Sequence, residues 1–166
     1  MSGETRSTGS ILLGWWSANI GNRDAAGSRA LSARLRRAAA VEVLSQRRVV
    51  ELASALGIHG GARLSRFIPM VRLLAELRTH DSALLARRIG GSDPLLSELR
   101  FQRLLRAEDD EMEDLMRRAI LVADRRCNVA ALAGDLLFWG DAVRQRWCFQ
   151  YFGAEPPSQL SRESQE

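Results

Sequence analysis

The 166-residue chain carries 24 arginines, no lysine and 20 acidic residues, for a formal charge of +4. The missing lysines exclude Schiff-base chemistry and a Walker-type phosphate lysine, and the sequence holds no run of 18 or more apolar residues of the kind that spans a bilayer. Abundant Ala, Arg, Gly and Leu is also what a GC-rich genome produces, so the arginine count says less than the arginine placement.

That placement is uneven. Residues 1–106 hold 17 Arg against 8 acids, a net of +9, whereas residues 107–166 hold 7 Arg against 12 acids, a net of −5. Such a basic half bears on partners and association rates rather than on fold. Five arginine doublets occur, at Arg36-Arg37, Arg47-Arg48, Arg87-Arg88, Arg117-Arg118 and Arg125-Arg126. About half of them are expected to meet only acids or water. A chain near this length buries roughly 68–70% of its unfolded surface, enough for a core without disulfide staples. The two cysteines, Cys127 and Cys148, lie in apolar helical stretches without metal or disulfide spacing, and are expected to be reduced and buried. The N-terminus, with Glu4 and Arg6 before a short apolar patch, does not read as a signal peptide. The expectation is a soluble, cytoplasmic protein.

Gly, Pro and Asn cut the sequence into helix-length blocks, and convincing period-2 alternation is absent, so the fold class is all-α with eight to nine helices. Residues 1–9 and 153–166 have the composition of disordered tails. A first helix is expected from about Ser10 to Ile20 and a second from Asp24 to Ala40. The second places Leu31, Leu35, Ala38 and Ala39 on one face and Arg29, Arg34, Arg36 and Arg37 on the other. A third covers Val43 to Leu56 and stops at Gly57. A fourth covers Ala62 to Arg78, apolar nearly all round and therefore central, with Pro69 removing one backbone bond.

A short helix from Ser82 to Ile89 ends at Gly90-Gly91, after which Asp93-Pro94 supplies an N-cap and N1 proline for a helix reaching Ala107. On it Arg100, Arg103 and Arg106 recur every three residues opposite Leu104 and Leu105. Glu108, Asp109, Asp110 and Glu111 fill the first turn of the next helix, where the dipole favours acids. Arg125-Arg126 would neutralise its C-terminus. Asn128 caps a further helix ending near Gly140, and Asp141 opens the last, to about Phe152.

The catalytic inventory is thin. His59 and His80 are the only histidines, each in a polar connector with no second ligand at helical spacing, so neither a metal nor any other cofactor is expected. Asp135 and Asp141 are better read as partners of neighbouring arginines than as an acid/base pair. Trp15, Trp16, Trp139 and Trp147 lie in apolar helical stretches and read as core, with Trp16 the most exposed.

Three functional classes are open. Residues 51–68, with Ala53, Gly57 four residues on and a second helix after the turn, read like a helix-turn-helix DNA-binding regulator, although Arg63 falls on a position that should be apolar and Gly60-Gly61 lies where the second helix should start. A purely structural assembly subunit is another class. The third follows from three stretches taken in order: Leu12-Leu13-Gly14-Trp15-Trp16, then Ser97 to Ala107 (SELRFQRLLRA), then Asp135-Leu136-Leu137-Phe138-Trp139-Gly140 followed by Arg144-Gln145-Arg146-Trp147. With the Leu35-Arg36-Arg37 triplet and this length, they resemble the CasB family, the small subunit of the type I-E CRISPR surveillance complex, Cascade. The resemblance spans about residues 10–152.

It implies a non-catalytic protein of two small helical bundles, here residues 10–92 and 93–152, present twice in a complex with the large and backbone subunits and without a membrane. There it would lie against the guide RNA–DNA hybrid and the displaced single-stranded DNA, holding the R-loop open during antiviral defence, while base pairing reads the sequence. Carried over by position, the family's strand-binding basic residues fall on Arg37, Arg63, Arg100 and Arg118. Helical geometry adds Arg34, Arg66 and Arg103. One departure stands out: relatives can carry a basic pair directly after Trp-Gly, where this chain has Asp141 and Ala142 and regains charge only at Arg144 and Arg146.

Overall fold

The computed structural model describes residues 7–162; the ends of the two expected tails, 1–6 and 163–166, lie outside the described residues. The described chain is helical almost throughout, with eleven α-helices where eight to nine were expected. None of them is long and apolar enough to cross a membrane.

The first helix, α1 (Thr8–Trp16), starts at Ser7, whose Oγ accepts from the Ser10 amide at 3.2 Å, and runs into a π-helical turn, Ser17–Gly21. Gly21 is required there, because a Cβ would stand 2.6 Å from the Trp16 ring. Next comes α2 (Ala26–Leu35), which packs on that turn. It ends five residues earlier than the pattern suggested: Arg36 and Arg37 form a turn, and Ala39 is extended and exposed rather than part of the apolar face. The single helix expected over 43–56 divides at Ser45-Gln46 into α3 (Ala40–Leu44) and α4 (Arg47–Ala55).

The helix α5 (Gly61–Leu74) runs through Pro69 as one element and is central as expected. Phe67, Met70, Val71, Leu73 and Leu74 are fully buried. Residues 75–78 lead from α5 to the short parallel pairing of β1 (Thr79–His80) with β2 (Arg126–Cys127). Two residues per strand are too few to leave a period-2 signature in sequence.

The helix α6 (Leu85–Ile89) ends where Gly90 meets the last long helix. A Cβ on Gly90 would lie 2.1 Å from the Tyr151 carbonyl oxygen, to which the Gly91 amide donates at 2.8 Å. The Asp93-Pro94 cap does not form. Instead α7 (Glu98–Arg106) starts at Ser97, whose Oγ accepts from the Arg100 amide at 3.3 Å. The reason is tertiary: Leu96 is buried, its amide donates to the Ile89 carbonyl at 3.1 Å, and its carbonyl accepts from the Tyr151 hydroxyl.

The acid-led helix forms as α8 (Asp109–Val122). Asn128 caps α9 (Val129–Leu137), its Oδ1 accepting from Ala131 at 3.0 Å while His80 Nδ1 accepts from the Val129 amide at 3.0 Å. Asp141 opens α10 (Asp141–Tyr151), and α11 (Ser158–Arg162) lies in a stretch read as tail. The helix α9 packs on α1 and α5, and α10 packs on α6, so one apolar core joins both halves of the chain.

The aromatic expectations are largely met. Trp16, Trp139 and Trp147 are buried, and Tyr151 stacks on Phe101 with ring centres 3.9 Å apart. The ranking of exposure is corrected: Trp16 is only 4% exposed, its indole donating to the Leu74 carbonyl at 3.0 Å, while Trp15 is the partly open one. Both cysteines are free, but only Cys127 is fully buried; Cys148 is half-buried. Burial pushes the Cys127 thiol up to about 12, with Asp81 adding to the effect.

Candidate nucleic-acid interface

Arginine can serve the fold or serve a ligand, and what decides is whether its donors are already taken. In Arg72 and Arg117 they largely are, and in Arg125 one of them is. Glu113, buried on the inner face of α8, accepts from Arg72 Nε at 2.7 Å and Nη2 at 3.0 Å, and from Arg117 Nη2 at 3.1 Å. Glu76, just past α5 and equally buried, lies 3.3 Å from Arg117 Nε and 2.9 Å from Arg125 Nη1. The same guanidiniums staple the turn after α2: Arg72 Nη1 donates to the Ala38 carbonyl at 3.0 Å, and Arg117 Nη2 to the Arg36 carbonyl at 3.4 Å.

Other arginines are spent the same way. Arg88 pairs with Asp81 at 3.4 Å and donates to the Ala123 carbonyl at 3.1 Å, so it, rather than Arg125-Arg126, neutralises the end of α8. Arg126 pairs with Asp81 at 3.2 Å. Arg87 pairs with Glu155 at 3.1 Å. Arg144 pairs with Asp141 at 3.2 Å and lies over the Trp139 ring, and Arg146 pairs with Asp135, which also accepts from the Trp147 indole at 2.8 Å. Burial raises the Asp135 carboxyl above its ordinary value, with Arg146 and Trp147 pulling the other way. Asp135 and Asp141 thus have the arginine partners their positions suggested, although the buried Arg144 Nε finds no hydrogen-bond partner among the described residues.

The seven residues singled out from sequence are all exposed. Arg37, Arg66, Arg100 and Arg118 have no side-chain partner among the described residues. Arg63 lies over the Phe138 ring at 5.5 Å, which leaves its donors outward. Arg34 makes one long contact, 3.4 Å, to Gln46 Oε1. Arg103 is partly spent, on exposed Glu111 at 3.0 Å. Arg100, Arg103 and Arg106 are all exposed on α7 while Phe101 and Leu104 on its other face are buried.

These residues do not form one cluster. Arg34 lines a cleft of about 350 Å³ with Arg47 and Arg48, two exposed arginines the sequence reading did not select. Arg66 borders a cleft of about 380 Å³ together with Glu108, Asp109 and Trp139. Arg37 stands at a larger cleft, about 840 Å³, whose walls are Arg36, Arg72, Arg117 and Arg125, with Glu76 and Glu113. This third cleft was missed because its members meet across separations of 34 to 81 residues. A signal existed in Glu76 and Glu113, acids set on otherwise apolar faces, which demand a buried cation.

The helix-turn-helix reading of 51–68 meets a steric obstacle. The second of its helices would be α5, and α5 is the buried centre of the fold, exposed only over its first turns at Arg63 and Arg66. A recognition helix must present its length to a groove. Among the described residues no three His, Cys, Asp or Glu side chains are placed to share a metal ion.

No curated protein and no solved structure matches the chain. A family model described as CRISPR-associated protein Cse2 does match, over residues 31–152, from the middle of α2 to the end of α10. Covering well over half of the sequence and every helix discussed above except α1 and α11, that match establishes that the chain belongs to the Cse2 (CasB) family, the small subunits of type I-E Cascade complexes.

Proposed function

We propose that the protein stabilises the R-loop of a type I-E Cascade complex, gripping the backbone of the target and displaced strands through exposed arginines. The observation that carries this is the division among its arginines: Arg37, Arg63, Arg66, Arg100 and Arg118 are exposed and meet no carboxylate among the described residues, although acids elsewhere in the fold pair efficiently with other arginines. Forked, permanently charged donors left unspent suit phosphate oxygens. Such contacts are indifferent to base sequence, which fits a complex in which the guide does the reading.

The partners on this reading are the large and backbone subunits, a second copy of the chain, single-stranded DNA and the guide RNA–DNA hybrid, with no catalytic step assigned to the protein. Co-expression with the other subunits and guide RNA is expected to recover it in the complex, and the complex with it is expected to protect the displaced strand. Its affinity for unrelated single strands should be comparable at one salt concentration. A strong preference for one duplex sequence would overturn the proposal in favour of a regulator.

A further inference from the structure

The cleft of about 840 Å³ has a charge arrangement that the fold does not need. Its walls carry five arginines against two glutamates, so the carboxylates leave it with a net of +3. Arg72 and Arg117 spend most of their donors on Glu76, Glu113, backbone carbonyls and, for Arg117 Nη1, the exposed Asp114 at 3.1 Å. Arg125 uses only Nη1, leaving Nε and Nη2 without a partner among the described residues, and the Arg36 and Arg37 guanidiniums form no hydrogen bond or ion pair among the described residues. Beyond the rim the crowding continues. Arg23 is held below its ordinary basicity by burial and then by the like charges of Arg78, Arg36, Arg29 and Arg125, and none of Arg23, Arg29, Arg36 and Arg78 forms an ion pair among the described residues. Arg125 itself is delivered by an unusual backbone: Asp124 and Arg125 both have positive φ, 59° and 56°, a conformation that side chains with a Cβ rarely adopt. Strained backbone of this kind gathers where a side chain must be aimed.

We propose that the cleft between α2, α5 and α8 is a phosphate-binding site, in which Arg36, Arg37 and Arg125 hold the anion over guanidiniums that Glu76 and Glu113 fix in position. An oxyanion supplies the acceptors that the free donors lack and neutralises the surplus charge. The carboxylates act as positioning residues: each is shared by two arginines, so the floor is ordered before the ligand arrives. The inference rests on the proposed function only for the source of the phosphate, a nucleic-acid strand, as an internal phosphodiester or a terminal phosphomonoester.

The test is thermal unfolding of the isolated protein in increasing inorganic phosphate, against chloride at matched ionic strength. The wild type should show a saturable rise in midpoint beyond the chloride control, as binding to the folded state alone requires. In Arg36→Glu the rise should disappear, while the midpoint without phosphate stays level or increases, because a carboxylate there relieves repulsion among Arg23, Arg29, Arg78 and Arg125. Arg36→Ala serves as the second variant, with phosphate binding weakened about tenfold by loss of a charged donor. Tetrathymidylate with and without a 5′-phosphate separates the sources: equal affinity assigns the site to phosphodiesters, tighter binding of the phosphorylated form to strand ends. A wild type that responds to phosphate no more than to chloride, or a response unchanged in both variants, overturns the proposal. If that protein still binds long unrelated strands with a steep salt dependence, the cleft assignment alone has failed; a phosphate response without strand binding would instead undo the proposed function.

Discussion

The arginines of α5 and α8 and those of α7 have the same chemistry and opposite surroundings. Arg72 and Arg117 are 17% and 25% exposed and clamp carboxylates that are less than a tenth exposed. Arg100 and Arg106 are exposed without a carboxylate partner among the described residues, and Arg103 meets there only a carboxylate about as open as itself. The difference lies in the partner's burial, which decides whether a guanidinium is part of the fold or part of a surface. A buried carboxylate deprived of its cation is costly, whereas an exposed cation deprived of nothing is free to bind.

The contrast can be broken by substitution, and the largest effects belong to the packed side. Trp147→Ala, which empties a nearly closed site and removes one of the two donors to Asp135, should cost about 3–5 kcal/mol in chemical denaturation. Glu113→Ala should come next, at about 3 kcal/mol, because it strands Arg72 and takes one of the carboxylates from Arg117. Gly90→Ala should lose about 1–3 kcal/mol, since its Cβ would drive α6 away from the Tyr151 backbone. At the small end, Arg103→Ala should change stability by less than about 1 kcal/mol. A Glu113→Ala protein as stable as the wild type would erase the distinction between the two arginine classes.

What the sequence could reveal follows the range of the interaction involved. The Asn128 cap and the acid-led start of α8 are local events, and both helices begin where composition places them. The Asp93-Pro94 cap is equally local yet loses to Leu96, which is held by Ile89 before it and Tyr151 far beyond it. Exposure of neighbouring residues is harder still: Trp15 and Trp16 differ only in which side of α1 they leave from, and the helix that settles it, α5, is 58 residues away at Leu74. On the candidate interface, periodicity pointed to the α7 face and the family resemblance to Arg37, Arg63, Arg100 and Arg118, all of them exposed. Neither could find Arg36 or Arg125, whose role depends on α2, α5 and α8 meeting in space.

The central claim, that unspent surface arginines grip nucleic-acid backbone, is tested most directly by the salt dependence of single-strand binding in the wild type and in Arg37→Ala/Arg63→Ala/Arg100→Ala. The wild type should show log affinity falling with log salt at a slope of about −0.7 per phosphate contacted, and the triple variant should fold normally, bind every sequence more weakly and lose about two units of slope. An unchanged affinity and slope in the triple variant would contradict the account.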